Sequence, residues 1–146
     1  MTNSISAFWS KITGQLNKSK KRKRILIIDD DKSLLALMKG NLSPGGFDVL
    51  TAMTGEKGIE MAKKIGPDLI FLDVILPGIK GREVCAKLKE DPKTRDIPVI
   101  FLTAKNSPDD VKAELELGAI THLTKPLDSQ KMLEEVRHIL HLTLSS

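Results

Sequence analysis

The chain is short of several residue types, and each shortage excludes something. Among 146 residues there is one cysteine, Cys85, so no intrachain disulfide can form and a disulfide-stapled secreted fold is ruled out. Tyrosine is absent, and the remaining aromatics are Phe8, Trp9, Phe47, Phe71 and Phe101, too few for a base-stacking platform. No apolar run approaches the ~20 residues of a membrane-spanning helix. The opening residues lack the basic start and apolar core of a secretory signal, so export is not expected. No repeat of solenoid period is present. Residues 1–24 contain no acid but hold seven of the 23 Lys and Arg, whereas all 19 Asp and Glu fall in residues 25–146. The formal charge of +4 therefore belongs to a tail, and the remainder is mildly acidic. Specific nucleic-acid binding is not expected of such a chain. Forty per cent apolar residues suffice for one domain with a core of its own.

What is there is a strict alternation. Residues 18–24, KSKKRKR, form a basic run, and then Ile25 to Ile28 run straight into three aspartates. Such an unbroken apolar run reads as a strand covered on both faces of a parallel sheet. A helix is predicted from Ser33 to Leu42, opened by Asp31, and a second strand from Phe47 to Met53. Thr54 caps the next helix, which Gly66-Pro67 closes. Leu69 to Leu72 is a third strand ending in Asp73, and a helix carrying Val84, Cys85 and Leu88 follows, with Cys85 read as core packing. Pro98 to Leu102 is a fourth strand, ending in Thr103. Ser107-Pro108-Asp109-Asp110 starts a helix that ends at Gly118. Ala119 to Thr124 is a fifth strand, ending in Lys125-Pro126, and Asp128 caps a last helix to about Leu140. Five β/α units with short connections give an α/β fold, a parallel sheet with helices on both faces. They form a small doubly wound sheet or an unusually small fragment of something larger.

The chemistry collects at the strand ends. Strand 1 ends in Asp29 and Asp30, strand 3 in Asp73, strand 4 in Thr103 and strand 5 in Lys125. Open α/β sheets bind ligands at the carboxyl ends of their strands. Three carboxylates there repel one another unless a cation is present, and an all-oxygen set suits Mg²⁺ rather than zinc. Mg²⁺ beside a lysine is a recurrent way to stabilise a transferring phosphoryl group, and a carboxylate can itself be the nucleophile. Singly, an aspartate or threonine after a strand is most often a turn former. Four such positions at successive strand ends overturn that reading.

On the stretches ILIIDDD (25–31), PDLIFLDVILPGIKG (67–81), VIFLTAK (99–105) and THLTKPL (121–127), the chain from Arg24 to about Leu142 resembles a response-regulator receiver domain of two-component signalling, of the single-domain chemotaxis type. The resemblance implies a flavodoxin-like, doubly wound five-stranded parallel sheet of order 2-1-3-4-5. It implies Asp73 as phosphoacceptor, Asp30 as direct and Asp29 as water-mediated ligand of Mg²⁺ (or Mn²⁺), and the Ile75 backbone carbonyl as a further ligand. Thr103 matches the switch hydroxyl and Lys125 the lysine that pairs with phosphoryl oxygens, with Lys125-Pro126 cis. The implied partners are a sensor histidine kinase or histidine phosphotransfer protein and a downstream protein target docking on helix 4, strand 5 and helix 5. Such a chain is a phosphoacceptor that catalyses its own phosphotransfer and dephosphorylation, not an enzyme in the ordinary sense.

Two departures stand out. Receivers commonly carry an aromatic two or three residues before the strand-5 lysine; here His122 takes that place, as a candidate switch residue or an exposed edge-strand histidine. Ala104, being small, leaves the acceptor accessible, while Ile75 and Lys105 flank the site and predict slow self-dephosphorylation. Domain boundaries are expected at residues 1–23 for the basic tail and 24–146 for the receiver, leaving no output module. The tail reads as solvated, as a partner-binding segment, or as a peripheral membrane contact in which Ile5, Phe8, Trp9, Ile12 and Leu16 lie in the headgroup region of the inner membrane while the basic run binds anionic lipid. A cytoplasmic location is expected. The alternative to a phosphorylation switch is an interaction scaffold placed by its tail. A hydrolase of the aspartyl-phosphate kind lacks residues for a substrate-covering cap.

Overall fold

The computed structural model describes Ile5, residues 22–104 and residues 107–145. Most of the expected tail segment and Lys105 lie outside the described residues. Among the described residues from 22 on, five strands and five α-helices alternate: β1 (Arg24–Ile28), α1 (Lys32–Leu42), β2 (Asp48–Ala52), α2 (Gly55–Ile65), β3 (Leu69–Asp73), α3 (Gly81–Glu90), β4 (Val99–Thr103), α4 (Pro108–Glu116), β5 (Thr121–Thr124) and α5 (Ser129–Ser145), with a 3-10 turn at Ser43–Gly45. The strands form one sheet of order β2-β1-β3-β4-β5, and every pairing is parallel. This is the doubly wound order that the resemblance implies.

The apolar runs explain the order. β3 and β4 are buried at every residue and β1 at all but Arg24, so these three are central strands covered on both sides. Alternate residues face opposite layers. Ile25, Ile27, Leu69, Phe71, Ile100 and Leu102 pack with Leu35, Met38 and Leu42 of α1 and with Met132, Leu133 and Val136 of α5; Ile5 packs against the same cluster. Leu26, Ile28, Ile70, Leu72, Val99 and Phe101 pack with Ala62 of α2 and with Val84, Cys85 and Leu88 of α3. Each such fully buried Leu or Ile contributes about 1.5–3 kcal/mol of transfer free energy. Cys85 is buried there, as expected of a packing residue.

The helix starts follow their caps. The Asp31 side chain accepts from the Ser33 and Leu34 N–H groups, Thr54 from Lys57, Ser107 from Asp110, and Asp128 from Gln130 and Lys131. The largest differences from the sequence reading are at the start of β5 and the end of α5. Gly118, at φ 101°, turns the chain out of α4, and the Ala119 N–H bonds back to the Glu114 carbonyl, so β5 begins at Thr121 rather than Ala119. α5 runs past Leu140 to Ser145, because no glycine or proline interrupts it.

α3 lacks a side-chain cap at its start; instead the Gly81 N–H donates to the Val74 carbonyl at 2.9 Å. A Cβ at Gly81 would run into the Asp73 carbonyl oxygen and the Val74 backbone. Gly81 therefore lets α3 begin directly on the end of β3. Gly81→Ala is expected to cost roughly 1–3 kcal/mol by overpacking, read by denaturant unfolding. An unchanged midpoint would show that the close approach is not needed.

Candidate functional site

β1, β3, β4 and β5 end at one edge of the sheet and deliver Asp29, Asp30, Asp73, Thr103 and Lys125 there. One carboxylate oxygen from each of Asp29, Asp30 and Asp73 can be chosen so that the three lie within 4.8 Å of one another. Asp29 is fully buried and Asp73 is 6% exposed, whereas Asp30 is open to solvent. The Lys125 ammonium donates to Asp29 Oδ2 at 2.9 Å and lies 3.3 Å from Asp73 Oδ2. The Asp31 N–H holds Asp29 Oδ1 at 2.9 Å, and the Ile75 N–H holds Asp73 Oδ1 at 3.2 Å. Thr103 is buried at the end of β4, and its carbonyl accepts from the Lys125 N–H at 2.8 Å. The Lys125-Pro126 bond is cis, as expected. The structure thus gathers the sequence-predicted carboxylates and lysine into one cluster.

The charges do not balance. Among the described residues three carboxylates face one ammonium, and the Asp73 carboxyl is raised above its ordinary value, first by burial and then by the charge of Asp29, against the opposing pull of Lys125 and the Ile75 N–H. Burial alone would lower the Lys125 ammonium, but its contacts with Asp29 and Asp73 lift it above the usual lysine value. The remaining negative charge, carried by hard oxygens with no sulfur or nitrogen donor among them, fits a divalent cation of the Mg²⁺ kind. Ile75, 57% exposed, stands beside the acceptor at the site's mouth, and Ala104 is exposed. His122 is half-buried on β5, an edge strand, opposite Phe101 in register, and it faces Glu114 of α4.

Sequence reasoning missed the neighbouring polar cluster of Arg82, Asp110 and Glu114. Arg82 Nη2 lies 2.9 Å from Asp110 Oδ1 and 3.8 Å from Glu114 Oε2. The available signal was the i, i+4 pair of acids in a helix that follows the Thr103 strand end.

The raised Asp73 value sets a sign. A carboxyl raised by the fold contributes its stability fully below the ordinary value of 3.8 and loses it as pH rises through the raised value. Without divalent cation, Asp73→Asn is therefore expected to melt a few degrees higher than the parent at pH 7. The gain should shrink as pH falls toward 3.8; a gain independent of pH would reject this origin.

Comparison with known proteins agrees with this geometry. The family model described as "Response regulator receiver domain" matches residues 25–137. The DNA-binding dual master transcriptional regulator RpaA of Synechocystis sp. is 45% identical over 120 residues, which are 82% of this chain and 50% of that protein. The response regulator PleD of Caulobacter vibrioides is 41% identical over 121 residues, 83% of this chain and 27% of that protein. The chain thus spans half or less of these curated relatives. Among solved structures, a two-component response regulator from Clostridium difficile superimposes with a TM-score of 0.78 at 30% identity, over 82% of this chain and 97% of that one. The chemotaxis protein CheY4 of Vibrio cholerae does so with a TM-score of 0.77 at 25% identity, over 82% and 99%. With the family match, the strand order and the acidic cluster in agreement, this chain belongs to the response-regulator receiver domains of two-component signalling.

Proposed function

We propose that this receiver is a phosphorylation switch whose acceptor is Asp73. The observation that carries the reading is the shared lysine: Lys125 reaches both the buried Asp29 and Asp73, with Asp30 open beside them. Asp29, Asp30, Asp73 and the Ile75 backbone carbonyl would hold Mg²⁺ or Mn²⁺, which when bound neutralises charge on the phosphoryl oxygens. An Asp73 carboxylate oxygen attacks phosphorus, and an O–P bond forms as the N–P bond of a donor phosphohistidine breaks. The departing imidazole keeps the electron pair and takes up a proton. Lys125 moves its pairing to a phosphoryl oxygen, and the Thr103 hydroxyl donates to another. A change at Thr103 and α4 then presents the α4, β5 and α5 surface to a protein target, or the phosphoryl group is relayed onward. His122, at the strand position three before Lys125, takes the place of the usual reporter aromatic. The donor is a sensor histidine kinase or a histidine phosphotransfer protein. Donors of that kind, together with a lone buried thiol, support a cytoplasmic site of action.

No described helix is long and apolar enough to cross a membrane. The residues behind the peripheral-membrane reading lie outside the described ones, apart from Ile5 and Arg22 to Arg24. Ile5 packs on the protein's own core, and nothing observed favours the membrane or scaffold readings over the switch.

Two measurements test this. Incubation with acetyl phosphate and Mg²⁺ should add one phosphoryl group by intact-protein mass spectrometry; chelation and Asp73→Asn should each abolish it. Labelling that survives Asp73→Asn would sink the assignment. Ile75, exposed beside the acceptor, should hinder water's in-line approach, so Ile75→Ser should shorten the phosphoryl lifetime a few-fold without abolishing labelling. An unaltered lifetime would remove Ile75 from that role.

A further inference from the structure

Helix α4 is seated the wrong way round for an apolar core. Its single buried residue is Glu114, 1% exposed. Its large apolar side chains, Val111 and Leu115, are spaced i, i+4 and mark the stripe that should face inward. Yet Leu115 is 47% exposed and Val111 only half-buried. Neither core cluster includes a buried residue from α4. The other helices that flank the sheet each bury apolar residues, such as Met38, Ala62, Val84 or Val136.

The seat of Glu114 is also incomplete. Neither of its carboxylate oxygens has a hydrogen-bond partner among the described residues, and the buried Nε of Arg82 has none either. The guanidinium makes its short contact with Asp110, at 2.9 Å, and leaves Glu114 at 3.8 Å. Among the described residues, the titratable groups facing the Glu114 carboxylate are Arg82 of α3, His122 of β5 and Asp110 of its own helix. Burial outweighs the two attractive ones and raises the carboxyl above its ordinary value. A charge removed from water without full pairing disfavours the state that holds it. Few buried apolar contacts make the same segment easy to open locally.

We propose that Glu114 is a positioning residue that keeps α4 metastable: the resting receiver holds its carboxylate inside and Leu115 outside, and the switched receiver reverses the two. Adjacent residues on a helix differ by about 100° in direction, so a turn of α4 by roughly one residue exchanges them. The turn hydrates the carboxylate and covers Leu115. Arg82 stays on α3, whose first residue rests on the Asp73 carbonyl, and its pairing with Asp110 tethers α4 to the acceptor's own strand end. β4 leads from Thr103 into α4, so both ends of the linkage touch the site. This inference rests on Asp73 being the acceptor, and the tests below separate the two.

The variants are Glu114→Gln, which keeps the shape and removes the charge, and Glu114→Leu, which supplies the missing apolar anchor at nearly constant volume. Amide hydrogen exchange over residues 108–116 of the full, unphosphorylated chain should slow several-fold in both, more in Glu114→Leu. Labelling by acetyl phosphate should slow in the same order, because a better-seated α4 populates the switched arrangement less. Unchanged or faster exchange in variants that still melt cooperatively overturns the proposal. So does slower exchange with an unchanged labelling rate, which would leave Glu114 a structural role only. If the parent itself takes no phosphoryl group, the acceptor reading fails, and the proposal falls as a switch device even where exchange slows.

Discussion

The Lys125 ammonium, shared between Asp29 and Asp73, is the contact on which the rest of the site depends. Asp29 follows β1, Asp73 ends β3 and Lys125 follows β5, so the ion pair draws three strand ends of the sheet to one point. Without the lysine, two buried carboxylates would face each other across β1 and β3. Leaving such a charge unpaired costs about 3–5 kcal/mol. The sheet order makes the contact possible, because β1 and β3 are neighbours and β5 lies beyond β4 on the same side. Short caps and backbone bonds hold the partners in place: the Asp31 N–H fixes Asp29, and the Ile75 N–H fixes Asp73.

That pair satisfies only part of the charge at the site, and function follows from the remainder. A fully neutralised cluster would be a structural feature. Here burial and Asp29 hold the Asp73 carboxyl above its ordinary value, and Asp30 is left open to solvent. A divalent cation and a phosphoryl group are what such a surplus of oxygen donors accommodates. The same frustration recurs about α4, where a buried glutamate stands in the place of an apolar anchor. At both places buried charge is only partly paired. Departures from local consistency are expected where a protein does its work.

The sheet was legible because its central strands are unbroken apolar runs ending in polar residues, a pattern that only two-sided burial explains. The helix starts were legible because Asp31, Thr54, Ser107 and Asp128 are capping residues acting on the N–H groups just after them. The start of β5 is less legible, because the left-handed Gly118 and the Ala119 N–H bond delay the strand while the apolar pattern already begins at Ala119. The last helix runs beyond Leu140 to Ser145 because no glycine or proline stops it.

For this protein the sequence by itself determined the order of elements, the residues at each strand end and their chemical types. It did so because strand runs, caps and breakers act over a few residues. Tertiary structure alone decided that Lys125 bonds to Asp29 more closely than to Asp73, that Asp30 stays open, and that Glu114 is buried while Leu115 is not. These depend on distances between elements far apart in the chain and on which side of α4 meets the sheet. No local pattern encodes them, because burial and Coulomb interaction are set by the neighbours that folding brings near.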